Sequence, residues 1–342
     1  MLYSLVIPVY KNESGIPALL DALVKLTPPQ PGQLEVVFVV DGSPDRCYAL
    51  LRDALPKLPF RSQLLLHSRN YGAFAAVRTG LAAAKGDFFA VMAADLQEPP
   101  ELVIEFYRLL AADEADVAVG TRVARQDPLP SRIASGIFWW AYRKFVIPEM
   151  PPGGVDMFGC NKQFRNELLA LDETHSSLIG LIFWLGFRRK LVPYERRVRQ
   201  HGRSAWTLRK KINYLMDSIF SFSDLPIKLL ISTGMIGVAS AIGFGLLVVA
   251  MKLLGNVPVP GYAATVLTVL FFGALNMIGI GIIGAYVWRA YGNTQDRPLA
   301  VVMRSDAYAG AITAEASRLP TPEPRTASLP ERRTQGVKEQ RA

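Results

Sequence analysis

The sequence predicts an α/β protein: a doubly wound, mostly parallel sheet followed by an interfacial helix and two helices of membrane-spanning length. Three observations predict it. Short apolar, β-branched runs alternate with helix-like stretches through residue 119, the pattern of parallel strands joined by crossover helices. Polar clusters follow four of these runs, where an open α/β sheet binds its ligands. Near the C-terminus, Leu229–Met251 and Leu253–Trp288 hold no charged residue, and each is long enough for a span of roughly 20 residues.

The expected strands are 3–9 (YSLVIPV), 34–40 (LEVVFVV), 63–66 (QLLL), 88–92 (FFAVM) and 116–119 (DVAV), with helices near 14–26, 45–55, 72–84 and 100–111. Met1 leads into the first strand without the basic region of a signal peptide, so this part is expected in the cytosol. The polar clusters are Pro8–Glu13 (PVYKNE), Asp41–Asp45 (DGSPD), Arg69–Gly72 (RNYG) and Asp95–Pro100 (DLQEPP). One site fed by four strand tips is the economical reading. Residues 1–208 then form the cytosolic domain. Residues 209–228 follow with apolar residues at helical spacing and sparse charge, as in a helix lying in a membrane interface.

Residues 229–288 hold both spans, separated by Lys252 and the turn-forming GNVPVPG. Arg209, Lys210, Lys211 and Lys228 precede the first, and Arg289, Arg297 and Arg304 follow the second, which places both ends in the cytosol. Tyr286 and Trp288 are expected as interfacial anchors. A juxtamembrane stretch, 289–304, leads to an aperiodic tail, 305–342, that reads as disordered.

Composition narrows the function. The net charge of +9 favours anionic partners: nucleic acid, lipid headgroups or phosphorylated substrates. The two spans and the lack of any binding motif argue against nucleic acid. Cys47 and Cys160 show no pairing pattern, so neither a disulfide framework nor a zinc site is expected. No G-x-G-x-x-G follows the first strand and no P-loop occurs, so a bound phosphate would have to be held by a metal and basic side chains. His175, Ser176 and Ser177 follow no triad order.

Asp95 and Gln97, one residue apart in an extended segment, present a carboxylate and an amide oxygen on one side, a donor set for Mg2+ or Mn2+. Glu98, followed by Pro99 and Pro100, reads as helix initiation. The Asp41 cluster is also good turn chemistry; its recurrence beside three similar tips favours a site.

Taken together, PVYKNE, VDGSPD, RNYG, ADLQEPPE and the two C-terminal spans resemble the polyprenyl-phosphate glycosyltransferases of glycosyltransferase family 2, over roughly residues 1–300. The resemblance implies a GT-A fold, a nucleotide-diphosphate sugar donor, Mg2+ or Mn2+, a polyprenyl (undecaprenyl) phosphate acceptor, and inverting transfer at a bacterial inner membrane. A homo-oligomer is compatible with it. By position it implies that Pro8, Tyr10, Glu13, Asp41, Arg69 and Gly72 line or border the donor pocket, with Asp95 and Gln97 on the metal. GGVDMFGCNKQF resembles the family's G-D-F-R segment, with Asp156 as its proposed base and Phe158 in place of the arginine. Asp156 is alternatively an orienting group or a cap. Arg122 and Arg132 are implied at the acceptor phosphate, and Arg203 and Ser204 at the donor. Ala93 and Val40 stand where many relatives carry aspartate, which keeps a non-catalytic scaffold as the alternative. A processive polysaccharide synthase fits less well, because Ser204 interrupts its Q-x-x-R-W motif and only two spans are present.

Overall fold

The computed structural model describes residues 1–26, 34–122, 136, 139–140, 142–151, 154–173, 176–197, 208–254 and 261–310. Among them, eight strands form one sheet: β1 (Tyr3–Val9), β2 (Leu34–Val40), β3 (Arg61–His67), β4 (Phe88–Val91), β5 (Val117–Arg122), β6 (Val155–Asn161), β7 (Arg189–Tyr194) and β8 (Val302–Tyr308). Their spatial order is β7-β5-β6-β4-β1-β2-β3-β8. The centre, β4-β1-β2-β3, is parallel as expected. The sheet is mostly parallel, as expected, because β5 and β7 run the same way as the centre; among the described strands, β6, between β4 and β5, and β8, along β3, run antiparallel.

Helices α1 (Ile16–Lys25), α2 (Cys47–Ala54), α3 (Ala73–Ala83), α4 (Glu101–Ala111), α5 (Lys162–Ala170) and α6 (Leu178–Trp184) cover both faces. The two-residue side-chain period of a strand divides the core. Tyr3, Leu5, Ile7 and Val9 of β1, with Val36, Phe38 and Val40 of β2, pack against α1, α2 and α4. Val6, Val37 and Val39 join Phe89 and Val91 against α3, α5 and α6. Every residue of β2 is buried, as a strand covered on both faces requires. This three-layer arrangement leaves the carboxyl ends of β1, β2 and β4 open at one edge.

Beyond the sheet lie α7 (Leu208–Phe222), α8 (Leu225–Leu253) and α9 (Tyr262–Thr294). The single interfacial helix expected over 209–228 is two elements. The chain breaks at Ser223, whose hydroxyl accepts the Leu225 N–H at 3.0 Å, and Pro226 fits the first turn of α8. Tyr214, Leu215, Ile219 and Phe222 of α7 pack on the second core rather than facing outward. Helices α8 and α9 are long and apolar enough to cross a membrane, and side chains such as Ile236, Phe244, Leu246 and Ile280 are exposed along them. The tail expected to be disordered from 305 begins instead as the end of β8, with the Tyr48 hydroxyl donating to Asp306 at 2.6 Å. Residues 311–342 lie outside the described residues.

Candidate active site

The strand tips interlock through the backbone. The Asp41 N–H donates to Val9 O at 3.0 Å, the Met92 N–H to Val6 O at 3.1 Å, and the Asn12 amide to Ala94 O at 2.9 Å. Glu13 accepts the Arg46 N–H at 3.0 Å, and Lys11 N–H donates to the Ser43 hydroxyl at 2.8 Å, joining PVYKNE to DGSPD. Pro8 and Tyr10 are half-buried on the same rim. Four expected clusters therefore form one edge, with DLQEPP tied in through Ala94.

Asp41 is 2% exposed, and both its oxygens are engaged by the chain itself. Oδ1 accepts from the Tyr71 N–H at 2.8 Å and lies 2.9 Å from His67 Nδ1; Oδ2 accepts the Gly72 N–H at 2.8 Å. His67 Nε2 in turn sits 3.0 Å from the Thr79 hydroxyl. In a neutral imidazole the proton then lies on Nδ1, and Thr79 donates to Nε2. Asp41 thus holds the RNYG loop. Gly42 makes the approach possible: its φ is +56°, and a Cβ there would fall 2.2 Å from the Arg69 carbonyl carbon. Arg69, on that loop, is exposed and stacks 4.1 Å from the Tyr71 ring centroid.

The acidic segment departs from the extended form expected for it. Leu96 has φ +53°, so Asp95–Gln97 is a turn, closed by the Gln97 N–H donating to Asp95 Oδ1 at 3.2 Å. A left-handed leucine is strained, and such strain concentrates at functional sites. Gln97 Oε1 accepts from Arg196 Nη2 at 2.7 Å, and Gln97 O accepts the Arg197 N–H at 2.8 Å.

Glu98 does not initiate the helix. The acid in the first turn of α4 is Glu101, whereas Glu98 is 2% exposed, with Oε1 at 3.7 Å from Arg196 Nε and Oε2 without a hydrogen-bond partner among the described residues. Burial, reinforced by Asp156 and Asp95, pushes its carboxyl up to about 7, against the pull of Arg196 and Arg122.

Asp156 lies in β6 beside the ends of β5 and β7. Arg122, the last residue of β5, pairs with its Oδ2, and the Tyr194 hydroxyl, at the end of β7, donates to the same oxygen at 2.8 Å. Arg122 is largely buried, which opposes its charge; the adjacent Asp156 outweighs this and raises its pKa. The cap reading of Asp156 is corrected: it lies within a strand and binds a guanidinium. Asp95, Glu98 and Asp156 with Arg122 and Arg196 thus form one mixed-charge cluster. Among the described residues, no three Asp, Glu, His or Cys side chains could hold a metal by themselves.

The sequence reading does not pick out His67 or Tyr194. His67 lies one residue beyond the strand read as 63–66, and Tyr194 ends a strand whose exposed Lys190 and Leu191 hide its pattern. Arg132, Arg203 and Ser204 lie outside the described residues.

Residues 4–170 match the family described as Glycosyl transferase family 2. An undecaprenyl-phosphate 4-deoxy-4-formamido-L-arabinose transferase of Edwardsiella ictaluri is 32% identical over 308 residues, covering 86% of this chain and 91% of that one. The chain belongs to glycosyl transferase family 2. This glycosyltransferase is also 27% identical, over 306 residues, to the bactoprenol glucosyl transferase of Shigella phage SfII, with 89% of this chain and 98% of that one covered. A mannosyltransferase of Pyrobaculum calidifontis, solved with GDP-Man and Mn2+, is 17% identical with a TM-score of 0.42 over 84% of this chain and 87% of that one. The mixed α/β sheet of the glycosyltransferase is GT-A-like. Its Phe158 and Val40 are buried core residues, on opposite faces of the sheet, where an arginine or an aspartate would lie unpaired in apolar surroundings.

Proposed function

We propose that the protein moves a sugar from a nucleotide-diphosphate donor to a polyprenyl phosphate at a bacterial inner membrane, by single displacement with inversion. The observation that carries this reading is the half-buried Arg122–Asp156 pair set against the Asp95–Glu98 turn: a guanidinium and an acidic edge side by side suit a reaction between two phosphate-bearing substrates. The activities of the Edwardsiella and Shigella phage relatives, named for undecaprenyl phosphate and bactoprenol, support the acceptor class. The apolar surfaces of α8 and α9 support a membrane-embedded acceptor.

Each group of the chain then has a task. Asp41 and His67 hold the RNYG loop so that Arg69 borders the donor. Asp156 and Tyr194 fix the direction of Arg122, whose charge attracts the acceptor phosphate. No strong base is required, because a phosphate monoester has a second pKa near 6 and is largely dianionic at neutral pH. Arg132, Arg203 and Ser204 are assigned to the two phosphate groups by resemblance.

Asp95 and Gln97 suit a hard divalent cation. Both present oxygen donors, and the unpartnered Glu98 Oε2 adds negative charge beside them. With so few carboxylates among the described residues, the donor diphosphate and water would supply the remaining ligands, the usual arrangement for Mg2+. When bound, the ion neutralises charge on the departing diphosphate.

The test is transfer of label from a panel of nucleotide sugars to undecaprenyl phosphate in membranes containing the protein, with Mn2+ or with chelator. Labelled lipid that needs metal and is lost in Asp95→Ala is expected. Nucleotide binding without turnover for any donor would point to the scaffold reading instead.

A further inference from the structure

The amide oxygen assigned to the cation is already occupied by the chain's own cation. Arg196 donates to Gln97 Oε1 at 2.7 Å, and its Nε lies 3.7 Å from Glu98 Oε1. The neighbouring residue secures the geometry: the Arg197 N–H binds Gln97 O at 2.8 Å, and the Arg197 guanidinium reaches Glu101 at 3.2 Å. Arg196 thereby lends positive charge to an edge where Asp95, Glu98 and Asp156 would otherwise repel one another. Arg122 balances Asp156, but among the described residues Glu98 has only Arg196 at ion-pair distance, and its Oε2 is buried without a hydrogen-bond partner there. That orphaned oxygen marks the position as short of a cation, since a buried carboxylate lacking full compensation is costly.

A divalent ion bound to Gln97 Oε1 at an ordinary metal–oxygen distance would stand roughly 5 Å from a guanidinium bonded to the same oxygen. Two cations that close repel strongly at the dielectric of a protein edge. We infer that Arg196 holds the cation's place in the donor-free protein, and gives up Gln97 Oε1 when the ion arrives with the donor diphosphate. The inference rests on the metal-assisted reading above. It makes Arg196 a positioning residue with two states: bound to Gln97 and Glu98 when the site is empty, and turned to the negatively charged diphosphate when it is filled. Its side chain is 32% exposed, so it has room to turn. The ion cannot settle fully until the diphosphate supplies both its missing ligands and a new partner for the arginine. Metal and donor binding are therefore mutually reinforcing.

The experiment is an electron paramagnetic resonance titration of Mn2+ into the full chain in detergent, alone and then with uridine diphosphate or guanosine diphosphate as probes. Arg196→Ala is expected to bind Mn2+ about tenfold more tightly than the wild type when no nucleotide is present, since a nearby competing charge is gone. With nucleoside diphosphate that advantage should vanish or reverse, because the wild-type arginine then binds the diphosphate. A merely structural role for Arg196 would not tighten metal binding. Two results would overturn the inference, and they differ. If the wild type with nucleotide binds Mn2+, Asp95→Asn loses it and Arg196→Ala changes nothing, the competition is wrong and the metal site stands. If the wild type binds no Mn2+ with either nucleotide, the metal-assisted reading falls and the inference with it.

Discussion

Glu98 is a buried carboxyl at the centre of the site whose charge is incompletely offset. Its folded value of about 7 lies above the 4.5 of an unperturbed glutamate, so the folded chain holds this proton more tightly than the unfolded one. The resulting stability is complete below about 4.5 and is lost as pH rises through about 7. Glu98→Gln fixes a neutral group in the same shape and removes that dependence. The variant should match the wild type near pH 4.5 and exceed it at pH 8 by about 3 kcal/mol in denaturant unfolding without metal. A stability difference that is equal at both pH values would mean that folding does not change how readily the Glu98 carboxyl gives up its proton. Glu98 also shows what residue-scale reading misses. The two prolines after it suggested helix initiation, and the first turn of α4 does begin there, but with Glu101 as its acid. The left-handed Leu96 turns Glu98 inward, and no sequence pattern signals a leucine at positive φ. Asp95 and Gln97 stand out in the sequence because a carboxylate and an amide at the end of an apolar run have few structural uses, whereas Asp156 stands out only through the resemblance of its segment.

At the scale of elements, the parallel centre was legible because strands buried on both faces are uninterrupted apolar runs, as in LEVVFVV. The flanking strands were not. β6 carries Asp156 and Gly159, and Gly159 is there because a Cβ would lie 2.9 Å from the Cβ of Phe106. β8, VMRSDAY, is mostly exposed and lacks any apolar run to mark it. Yet β8 covers the outer edge of β3 from Ser62 to His67, and the adjoining Val301 O accepts the Ser68 N–H at 3.0 Å. It therefore supports the strand that carries His67, the partner of Asp41. Ending the chain after Leu299 should strip these bonds and expose a strand edge, lowering the melting temperature by about 5 °C or more and promoting aggregation. Ending it after Gly310 should leave melting unchanged. Equal melting of the two truncations, followed by circular dichroism in detergent, would show that β8 is dispensable to the sheet.

At the scale of the whole molecule, the question is how the α8–α9 pair sits relative to the catalytic edge. The end of α9 is tied to α7: Arg289 bonds to Asp217 at 2.8 Å and stacks over Phe220 at 4.4 Å, while Tyr286 lies 5.1 Å from Phe220. α8 starts three residues after α7 ends, so the first end of α8 and the last end of α9 meet at the catalytic domain. The helices pack antiparallel, with Gly237 facing Phe272 and Gly279 facing Leu230, so their other ends, Leu253 of α8 and Tyr262 of α9, point away from it. At 1.5 Å per residue, the 29 residues of α8 extend about 43 Å, more than the roughly 30 Å of a bilayer's hydrocarbon core. The cationic residues agree: Lys228 and Arg289 stand at the domain end, and Arg297 and Arg304 follow on the same side. Single cysteines test the arrangement directly, because the native Cys47 and Cys160 are both buried. Gly261→Cys should react with an impermeant maleimide in intact cells, and Arg297→Cys only after the membrane is opened. Protection of Gly261→Cys until permeabilisation would mean that the hairpin does not cross, and that the exposed apolar faces of α8 and α9 lie along a surface instead.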